Sequence, residues 1–406
     1  MLKAISLFTG VGGLDFGFEA AGFKTCVAVE IDSVCCDTVR LNRTWSLIEA
    51  DIHTVTSERI LKTGKLKVGQ ADVLIGGPPC QPFSKSGYWS RGDALRLDDP
   101  RADTLSAYLR VVRDTQPKVL LLENVYGLAY KGKDEGLARI LDGIEQINRE
   151  TGSNYRPCWK VIDAASYGVP QHRERVFIVA SRDGVAFEFP AATHGDGADL
   201  FADRRCEPYR TAWDVLGDLP KDPKEPDLAI GGKWADLLPS IPEGENYLHH
   251  TPRGSGRPLF GWRTRYWSFL LKLAKNRPSW TIQAQPGSAI GPFHWRNRKL
   301  STQELCRLQT FPDALEFKCG RTQVQKLLGN AVPSLVAEIL AREVRIQLLG
   351  SRPRNKKLKL LPPRRKKMPP PEPTASVPSK YYKLQANHPA HPGEGRGNGA
   401  RARLAA

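Results

Sequence analysis

The sequence predicts an α/β fold in which a doubly wound, mostly parallel (Rossmann-like) sheet is joined to a smaller irregular domain. Apolar runs of strand length alternate with amphipathic stretches of helix length over residues 3–181, which is typical of a parallel sheet covered on both faces. Several predicted strands end in glycine or an acidic residue, at the edge where such sheets bind ligands. The alternation stops near Pro190.

Each element of the sheet follows from its own pattern. The strands are short apolar runs that stop at glycine, proline or charged residues. The helices carry apolar residues three and four positions apart. In chain order we predict strand 3–8, helix 14–22, strand 26–32, helix 33–42, strands 46–52 and 71–77, helix 104–115, strand 118–125, helix 135–150 and strands 158–169 and 175–181.

The chain beyond the sheet divides into three parts. Residues 191–285 are rich in Gly, Pro and Trp without a clear period, which predicts an irregular domain, and regular helix returns in residues 286–349. Residues 350–406 carry fourteen of the Lys and Arg residues and only two acidic residues, in a chain of formal net charge +17. We therefore predict a basic, disordered tail. Loose phosphate binding, a nuclear address and a merely solubilising role are all open for it.

Composition excludes several classes of protein. The 406 residues are 40% hydrophobic, enough for one large core or two domains, and no apolar run reaches the length of a membrane span. Residues 1–13 lack the pattern of a signal peptide. The eight cysteines show no CxxC or CxxH spacing, so we expect free thiols, no bound metal and a reducing compartment.

A glycine loop after the first strand predicts a bound nucleoside. Residues 8–13 (FTGVGG) present bare backbone N–H groups at the start of a helix. Asp15 stands where GxGxxG requires its third glycine, and no GxxxxGK[ST] is present, which disfavours a redox dinucleotide and a nucleoside triphosphate. Glu30 can accept from two ribose hydroxyls and Asp51 from an exocyclic amine. For either acid alone, a solvated strand end is the alternative.

The stretch VLIGGPPCQPFSKSG, residues 73–87, puts a cysteine on a stiffened turn. An apolar strand ends at Ile75, and glycine and proline residues stop it before Cys80. A cysteine kept for packing is usually buried inside an element, whereas this side chain can be held out and aimed.

Six stretches, in order along the chain, resemble the cytosine-C5 DNA methyltransferases, which use S-adenosylmethionine. They are FTGVGG (8–13), GGPPCQPFS (76–84), ENV (123–125), QHRER (171–175), RKLSTQELCRLQTFP (298–312) and GNAVP (329–333). The resemblance implies a methyltransferase-type catalytic domain in residues 1–190, a target-recognition domain in 191–285 and a return to the catalytic domain in 286–349. It also implies duplex DNA in the cleft between the two domains.

The resemblance and the strand-end pattern together predict the S-adenosylmethionine site. Phe8 is expected to stack on the adenine, Pro79 and Leu105 to form its walls, and segment 329–333 to close the site. The predicted contacts are Phe8, Thr9, Gly10, Gly12, Gly13, Leu14, Glu30, Ile31, Asp51, Ile52, Pro79, Leu105, Asn330 and Val332.

Methyl transfer to cytosine requires a strong nucleophile, because C5 reacts poorly until a group has added at C6. A thiolate meets this requirement, and Cys80 is the candidate. Glu123 can donate a proton or a hydrogen bond to N3 if burial raises its pKa. Arg173 and Arg175 alternate along an extended segment, and the resemblance implies that they stabilise the thiolate and hold O2. Surface ion pairing is the alternative for both arginines.

The target atom lies inside a duplex, so the base must be flipped out into the pocket. The loop after Cys80 is suited to filling the gap or touching phosphates, and the aromatic, basic stretch 253–267 is suited to reading guanine edges and phosphates. Scattered surface charge is the alternative for each arginine. The predicted DNA contacts are Gln81, Ser84, Ser86, Arg253, Arg257, Arg263 and Arg265.

Three functions are open at this stage. The first is a bacterial DNA methyltransferase paired with a restriction endonuclease without a stable complex. The second is a tRNA cytosine-C5 methyltransferase, although the CFT tripeptide usual in that group is absent here. The third is a non-catalytic relative, which we would expect to have lost Cys80 or Glu123. We predict a cytoplasmic, nucleoid-associated monomer that does not bind membranes, or a nuclear protein in a eukaryote.

Overall fold

A seven-stranded sheet forms the centre of the computed structural model, which describes residues 1–79, 103–129, 135–196, 206–261, 267–353 and 355–384. Its strands are β1 (Leu2–Leu7), β2 (Phe23–Glu30), β3 (Leu47–Glu49), β4 (Val73–Gly76), β5 (Val119–Val125), β6 (Cys158–Asp163) and β7 (Glu174–Ser181). Their order is β3-β2-β1-β4-β5-β7-β6. The pairs among β1 to β5 are parallel, whereas β7 is antiparallel to β5 and β6. The predicted doubly wound, mostly parallel sheet is confirmed.

Helices connect the strands and continue beyond the sheet. They are α1 (Gly13–Ala20), α2 (Ser33–Asn42), α3 (Ser57–Gly64), α4 (Asp103–Thr115), α5 (Glu135–Thr151), α6 (Ala212–Leu216), α7 (Thr302–Leu308), α8 (Arg321–Asn330) and α9 (Ser334–Glu343). Two-residue strands, β8 (His194–Gly195) and β9 (Glu207–Pro208), pair with each other. Among the described residues, no helix has the length and apolar character needed to cross a membrane.

Apolar side chains cover both faces of the sheet, which is why the central strands read as continuous apolar runs. On one face, Ile5, Leu74 and Leu120 pack with the apolar sides of α4 and α5. On the other face, Ile75 and Leu121 pack with α1 and α9. The sheet is therefore a rigid support for the loops at its edges.

Among the predicted strands that are longer than the strands in the structure, 46–52 and 158–169 differ most. The run 46–52 pairs with β2 only over Leu47–Glu49. The run 158–169 leaves the sheet after Asp163, whose side chain accepts a hydrogen bond from the Ala165 N–H at 3.2 Å and caps a 3₁₀ turn. A short acidic side chain that binds the backbone in this way competes with strand pairing.

Two further cores lie outside the sheet. One joins α6, α7 and α8 to Leu273, Ile282 and the N-terminal residues Val11 and Phe16. The other, which we call the outer core, comprises Leu237, Leu238, Ile241, Tyr247, Leu259, Phe260, Leu270, Phe293 and Tyr381. The two cores interleave along the chain on both sides of the predicted boundary at residue 285.

The prediction of a disordered tail over residues 350–406 is wrong for residues 355–384. Leu358, Leu360 and Leu361 pack against the core on the α9 side of the sheet. Tyr381 is 3% exposed within the outer core. The apolar residues that anchor this segment are few and irregularly spaced, so they produce no period in the sequence. Residues 385–406 lie outside the described residues.

Helix α1 packs so closely on α9 that Gly17 has no room for a side chain. An added Cβ atom would lie 2.5 Å from Glu338 N and 2.5 Å from Ser334 O. Because these backbone atoms cannot rotate away, we expect Gly17→Ala to lower the free energy of unfolding by about 1–3 kcal/mol. Urea denaturation followed by circular dichroism measures this loss.

Gly143, in α5, is the matched control for Gly17. An added Cβ atom there would lie 2.5 Å from Leu109 Cδ1, the tip of a side chain that can change rotamer. We expect Gly143→Ala to change the free energy of unfolding by less than about 1 kcal/mol, since alanine also favours the helix. Equal losses for the two variants would contradict the backbone contact between α1 and α9.

Candidate functional site

The carboxyl ends of β1, β2, β4 and β5 meet at one edge of the sheet, which we call the site edge. Strand order reverses between β1 and β4, so this edge holds the switch point at which open α/β sheets bind ligands. Phe8, Glu30, Pro79 and Glu123 lie at or near these strand ends. The fold therefore brings predicted cofactor and catalytic residues to the same edge.

The loop between β1 and α1 has a backbone conformation that few residues tolerate. Phe8 has a φ of 53°, and Gly10 and Gly12 have φ of 56° and 86°. A phenylalanine in the left-handed region is strained, and such strain is concentrated at binding sites. A Cβ atom added at Gly10 would meet no heavy atom of the described residues within 4 Å, so space is open beside this glycine.

Segment 329–333 lies directly against the glycine loop. A Cβ atom added at Gly13 would overlap the carbonyl oxygen of Val332 and lie 3.1 Å from its nitrogen. Val332 is 5% exposed, whereas Asn330 is exposed. The segment predicted to close the cofactor site is thus in contact with the loop.

A buried carboxylate links the glycine loop to the strands beneath it. Asp15 accepts hydrogen bonds from the hydroxyls of Ser6 and Thr25, both at 2.9 Å, and Thr9 donates to Ser6 at 3.0 Å. Burial raises the pKa of Asp15 to about 7, and the two hydroxyls oppose this shift. In the sequence, Asp15 stands out only as the residue in place of the third glycine of GxGxxG. The sequence signal that could have identified Asp15 as a buried acid is its position on the apolar side of α1.

Glu30, at the end of β2, is held by three backbone N–H groups. Its Oε2 accepts from Gly10 at 2.7 Å, and its Oε1 accepts from Ile31 at 2.9 Å and Asp32 at 2.8 Å. The carboxylate is therefore fixed at the site edge and tied to the glycine loop. Any ribose hydroxyl must use its remaining lone pairs. Asp51 accepts from a backbone N–H two residues later, at 3.0 Å.

The other predicted cofactor residues are partly exposed and partly in the core. Ile31 is 63% exposed, whereas Ile52 is 5% and Leu105 is 1% exposed. Pro79 is exposed, and its carbonyl accepts from the Thr104 hydroxyl at 3.2 Å. A fixed acid, an exposed aliphatic side chain and open space at a glycine loop fit the nucleoside part of S-adenosylmethionine.

Glu123, which is buried, and Arg175, which is half-buried, form an ion pair across β5 and β7. Arg175 Nε lies 3.0 Å from Glu123 Oε1. A Cβ atom added at Gly77 would lie 3.0 Å from Glu123 Oε2, so the carboxylate adjoins the segment that leads to Cys80. Burial raises the pKa of Glu123, and Arg175 opposes the shift. Cys80 itself lies outside the described residues.

Asn124 ties the same two segments together. Its side-chain amide donates to the carbonyl of Pro78 at 3.2 Å, and its Oδ1 accepts from the N–H of Val125 at 2.8 Å. The ENV and PPC stretches, which are 43 residues apart between Cys80 and Glu123, are therefore joined by a buried hydrogen bond.

Arg173 is buried on a different set of partners. Its Nη2 donates to the carbonyl of Gly329 at 2.7 Å and its Nη1 to that of Ile282 at 3.5 Å. Its Nε has no hydrogen-bond partner within the described residues. The family resemblance implies that both arginines contact the reacting groups. The structure places Arg175 on Glu123 and Arg173 on two backbone carbonyls.

Two fully buried glutamines, which the sequence analysis did not single out, lock the same region. Gln171 accepts from the N–H of Ile282 at 2.9 Å and donates to the side chain of Gln309 at 3.1 Å. Gln309 donates to the carbonyl of Leu328 at 2.6 Å. Both glutamines lie inside motifs that carry the family resemblance, and this position is the sequence signal that could have identified them.

An exposed aromatic pair also escaped the sequence analysis. His172 lies 2.8 Å from Asp163 and its ring centroid is 5.7 Å from that of Trp280. Trp280 in turn lies 5.5 Å from Trp267, and the two are 37% and 46% exposed. The composition of stretch 253–267 pointed to aromatic side chains, but not to this pairing.

Two of the predicted DNA contacts, Arg253 and Arg257, lie among the described residues, and all seven stay predictions. Arg253 and Arg257 are exposed, and the guanidinium of Arg257 lies 3.8 Å from the ring centroid of Tyr382. The other predicted contacts, Gln81, Ser84, Ser86, Arg263 and Arg265, lie outside the described residues.

Comparison with known proteins gives consistent matches along the chain. Residues 2–345 match the family model described as C-5 cytosine-specific DNA methylase. The chain is 39% identical to the Type II methyltransferase M.SacI of Streptomyces achromogenes, over 86% of this chain and 93% of that protein. It is 32% identical to M1.HphI of Haemophilus parahaemolyticus, over 84% and 86%. A solved structure described as a DNA modification methyltransferase from an E. coli prophage is similar in fold, with a TM-score of 0.60, 24% identity and coverage of 86% of this chain and all of that one.

The buried Asp15 predicts a dependence of stability on pH. Its pKa of about 7 in the folded state exceeds the ordinary value of 3.8, so the folded state binds this proton more tightly and the free energy of unfolding falls as pH rises from about 4 to 7. Asp15→Asn removes this contribution. Between pH 5 and pH 8 we expect the variant to gain about 2–3 kcal/mol relative to wild type in urea denaturation.

Asp37→Asn is the control, because Asp37 is exposed on α2. A wild-type-minus-Asp15→Asn difference that stays constant from pH 5 to pH 8 would show that Asp15 does not carry the proton in the folded state.

Proposed function

The chain belongs to the C-5 cytosine-specific DNA methylase family, and from that premise we propose its cellular role and the residues that carry out its reaction. The protein is a DNA cytosine-C5 methyltransferase, and S-adenosylmethionine is its methyl donor. Our proposal is that it modifies a specific duplex sequence and protects bacterial DNA from a restriction endonuclease.

The proposed role rests on the relatives rather than on the fold. M.SacI and M1.HphI are Type II methyltransferases and match this chain over most of their length. A modifying enzyme of this kind would act as a monomer in the bacterial cytoplasm, where the chromosome lies. Pairing with an endonuclease would require the same recognition sequence but no stable complex.

The residues at the site edge are suited to holding S-adenosylmethionine. Glu30 is fixed where it can accept from ribose hydroxyls, and Gly10 leaves open space beside the loop. Phe8, Asp51 and the exposed Ile31 complete the proposed nucleoside contacts, with segment 329–333 behind the loop. Bound in this way, S-adenosylmethionine supplies the methyl group that C5 takes up.

We propose Cys80 as the nucleophile. Its thiolate forms a bond to C6 of a flipped-out cytosine, and the ring electrons move toward N3 and C5. C5 then takes up the methyl group. Loss of the C5 proton, with cleavage of the C6–S bond, restores the aromatic ring and releases the thiolate. Water is a suitable acceptor for that proton.

Glu123 is the proposed proton or hydrogen-bond donor to N3 of the cytosine, and the proposed mechanism depends on this assignment. The raised pKa favours the protonated form that donation requires, and the carboxyl adjoins Gly77, three residues before Cys80. Arg175, paired with Glu123 at 3.0 Å, is the proposed hydrogen-bond donor to the cytosine O2. A preorganised cation there stabilises the charge that develops on the ring.

Arg173 is better described as a positioning residue. Both of its hydrogen bonds reach backbone carbonyls, of Gly329 and Ile282. It therefore acts on the reaction through the segments it holds and through its positive charge, two residues from Arg175.

The alternative functions are weaker than the proposed one. A tRNA methyltransferase is disfavoured because the family model and the relatives are DNA methylases. A non-catalytic relative is disfavoured because both Cys80 and Glu123 are present.

The proposed function is tested by offering the protein tritiated S-adenosylmethionine with duplex DNA or tRNA. We expect label in DNA only, and bisulfite sequencing of a plasmid from an expressing host to show one short methylated sequence. That plasmid should resist an endonuclease that cuts the same sequence. Label in tRNA alone, or methylation without sequence preference, would overturn the proposal.

Cys80→Ser is expected to abolish transfer while S-adenosylmethionine binding is kept, because a hydroxyl is a far weaker nucleophile. DNA carrying 5-fluorocytosine should trap wild type as a covalent adduct, since fluorine cannot leave as the C5 proton does. Cys26→Ser, at a partly buried cysteine of β2, is the control and should transfer methyl groups normally. Adduct formation by Cys80→Ser would refute the nucleophile assignment.

Glu123→Gln is expected to lower kcat by about 10²–10⁴-fold, since glutamine cannot deliver a proton to N3. The protonated fraction of Glu123 falls as pH rises, so wild-type kcat should decline on the alkaline side and the variant should lack that decline. Glu174→Gln, at the exposed neighbour on β7, is the control. An unchanged alkaline limb in Glu123→Gln would remove Glu123 from the mechanism.

A further inference from the structure

Residues 355–384, which we call the strap, lie outside the stretch that matches the family model, since that match ends at residue 345. The strap nevertheless follows a defined course from α9 to the outer core. Its contacts fall into four groups, met in order along the chain. Each group involves specific polar or aromatic partners, so this course is not that of a loosely adhering tail.

The first contacts hold the start of the strap to the catalytic domain. The carboxylate of Glu338, fully buried in α9, accepts from the N–H groups of Lys359 and Leu360, both at 2.8 Å. Arg342, one helical turn later, donates to the carbonyls of Asn355 and Lys357 at 2.7 and 2.6 Å. Glu338 and Arg342, which form an ion pair on α9, thus bind the backbone of the strap.

The second group crosses helix α6. The N–H of Arg365 donates to Asp214 at 2.8 Å, and its guanidinium lies 2.6 Å from Asp218. The indole N–H of Trp213 donates to the carbonyl of Lys367 at 2.7 Å. Backbone and side-chain bonds together fix the strap's position on α6.

The third group surrounds a buried lysine. Lys275, 2% exposed, donates to Glu243 and to the Pro370 carbonyl at 3.1 Å, and it lies 3.3 Å from Glu372. The N–H of Glu372 donates to the same Glu243 at 2.7 Å. A buried charge is stable only when it is paired, so removing the strap would leave Lys275 with fewer partners.

The last group completes the outer core. Tyr381 stacks on Trp234 with ring centroids 5.5 Å apart and planes 17° apart, and its hydroxyl donates to the Lys233 carbonyl at 2.6 Å. The next residue, Tyr382, lies beneath the guanidinium of Arg257. The end of the strap therefore touches both the core of the irregular region and an arginine predicted to contact DNA.

We propose that the strap is a positioning element for DNA: it holds the outer core, and the DNA contacts built on it, in register with the catalytic site edge. This inference rests on the proposed function, because it assigns the outer core to target recognition. One end of the strap is bound to α9, which packs on α1 behind the glycine loop, and the other end is inside the outer core. Loosening it alters how DNA is presented to the site, while the cofactor contacts stay in place.

The strap's own charge does not explain its attachment. Lys356, Lys366 and Lys367 are exposed and their ammonium groups have no hydrogen bond or ion pair among the described residues, whereas Arg365 and Glu372 hold the strap in place. Substitution of an anchor residue and substitution of an exposed lysine therefore distinguish a positioning role of the strap from simple attraction to DNA phosphates.

The test uses the full-length chain with Tyr381→Ala, which removes the stack on Trp234. Measured against the sequence that wild type methylates, we expect KM for DNA to rise about tenfold, within the usual range for coupling between sites. Discrimination against a site with one altered base pair should fall. The Kd for S-adenosylmethionine and kcat at saturating DNA should stay within about twofold of wild type. Tyr381→Phe, which keeps the stack, should recover most of the loss.

Arg365→Ala provides a second variant in case Tyr381→Ala does not fold. It removes the ion pair between the strap and Asp218 and leaves the outer core intact. Lys366→Ala, at the adjacent exposed lysine, is the matched control and should behave as wild type. An equal effect of Lys366→Ala would assign the strap's effect to charge and overturn the proposal. So would unchanged DNA parameters in both folded anchor variants, or a parallel loss of S-adenosylmethionine binding.

The result for wild type distinguishes failure of the strap proposal from failure of the proposed function. If wild type methylates no DNA, the proposed function has failed. If it methylates one sequence and the anchor variants do so with unchanged KM and discrimination, only the strap proposal has failed.

Discussion

The buried guanidinium of Arg173 is the interaction on which the rest of the site depends. It connects the start of β7 to the carbonyls of Gly329 and Ile282, which are more than a hundred residues away in the chain. Gly329 begins the segment whose Val332 touches Gly13 in the cofactor loop. Arg175, two residues after Arg173, pairs with Glu123. A single buried side chain therefore joins the elements proposed to hold the cofactor to those that carry the proposed catalytic acid.

This arrangement leaves positive charge in a place where it can act. Arg173 and Arg175 lie near one carboxylate, Glu123, and both hydrogen bonds of Arg173 are to neutral carbonyls. A cationic surrounding lowers the pKa of a nearby thiol and stabilises an anion that forms on a ring. Arg173 and Arg175 are therefore suited to the electrostatic part of the proposed mechanism.

The sequence predicted the sheet and the site edge well because both depend on local patterns. Continuous apolar runs ending in acid or glycine mark buried parallel strands, and Glu30 and Glu123 stand at such ends. The sequence did not reveal the role of Arg173, since its partners are backbone carbonyls that carry no residue signal. The strap was missed for a related reason: isolated anchors such as Tyr381 bury well without creating a period. Asp15 was overlooked because its hydroxyl partners lie on two neighbouring strands.

The residues proposed for catalysis and those proposed for DNA recognition are held in place by different kinds of contact. Close backbone approaches and short hydrogen bonds, such as those of the half-buried Glu30 and the buried Gln171, fix the site edge and the segments next to it, and they tolerate little change. The outer core is joined to the catalytic domain by a surface segment whose bonds involve many backbone groups and a few ion pairs. Backbone bonds do not depend on the identity of the side chain that supplies them. If the outer core recognises DNA as proposed, the side chains on its surface can therefore vary while the strap holds it in place, provided that Tyr381 and the partners of Lys275 are retained.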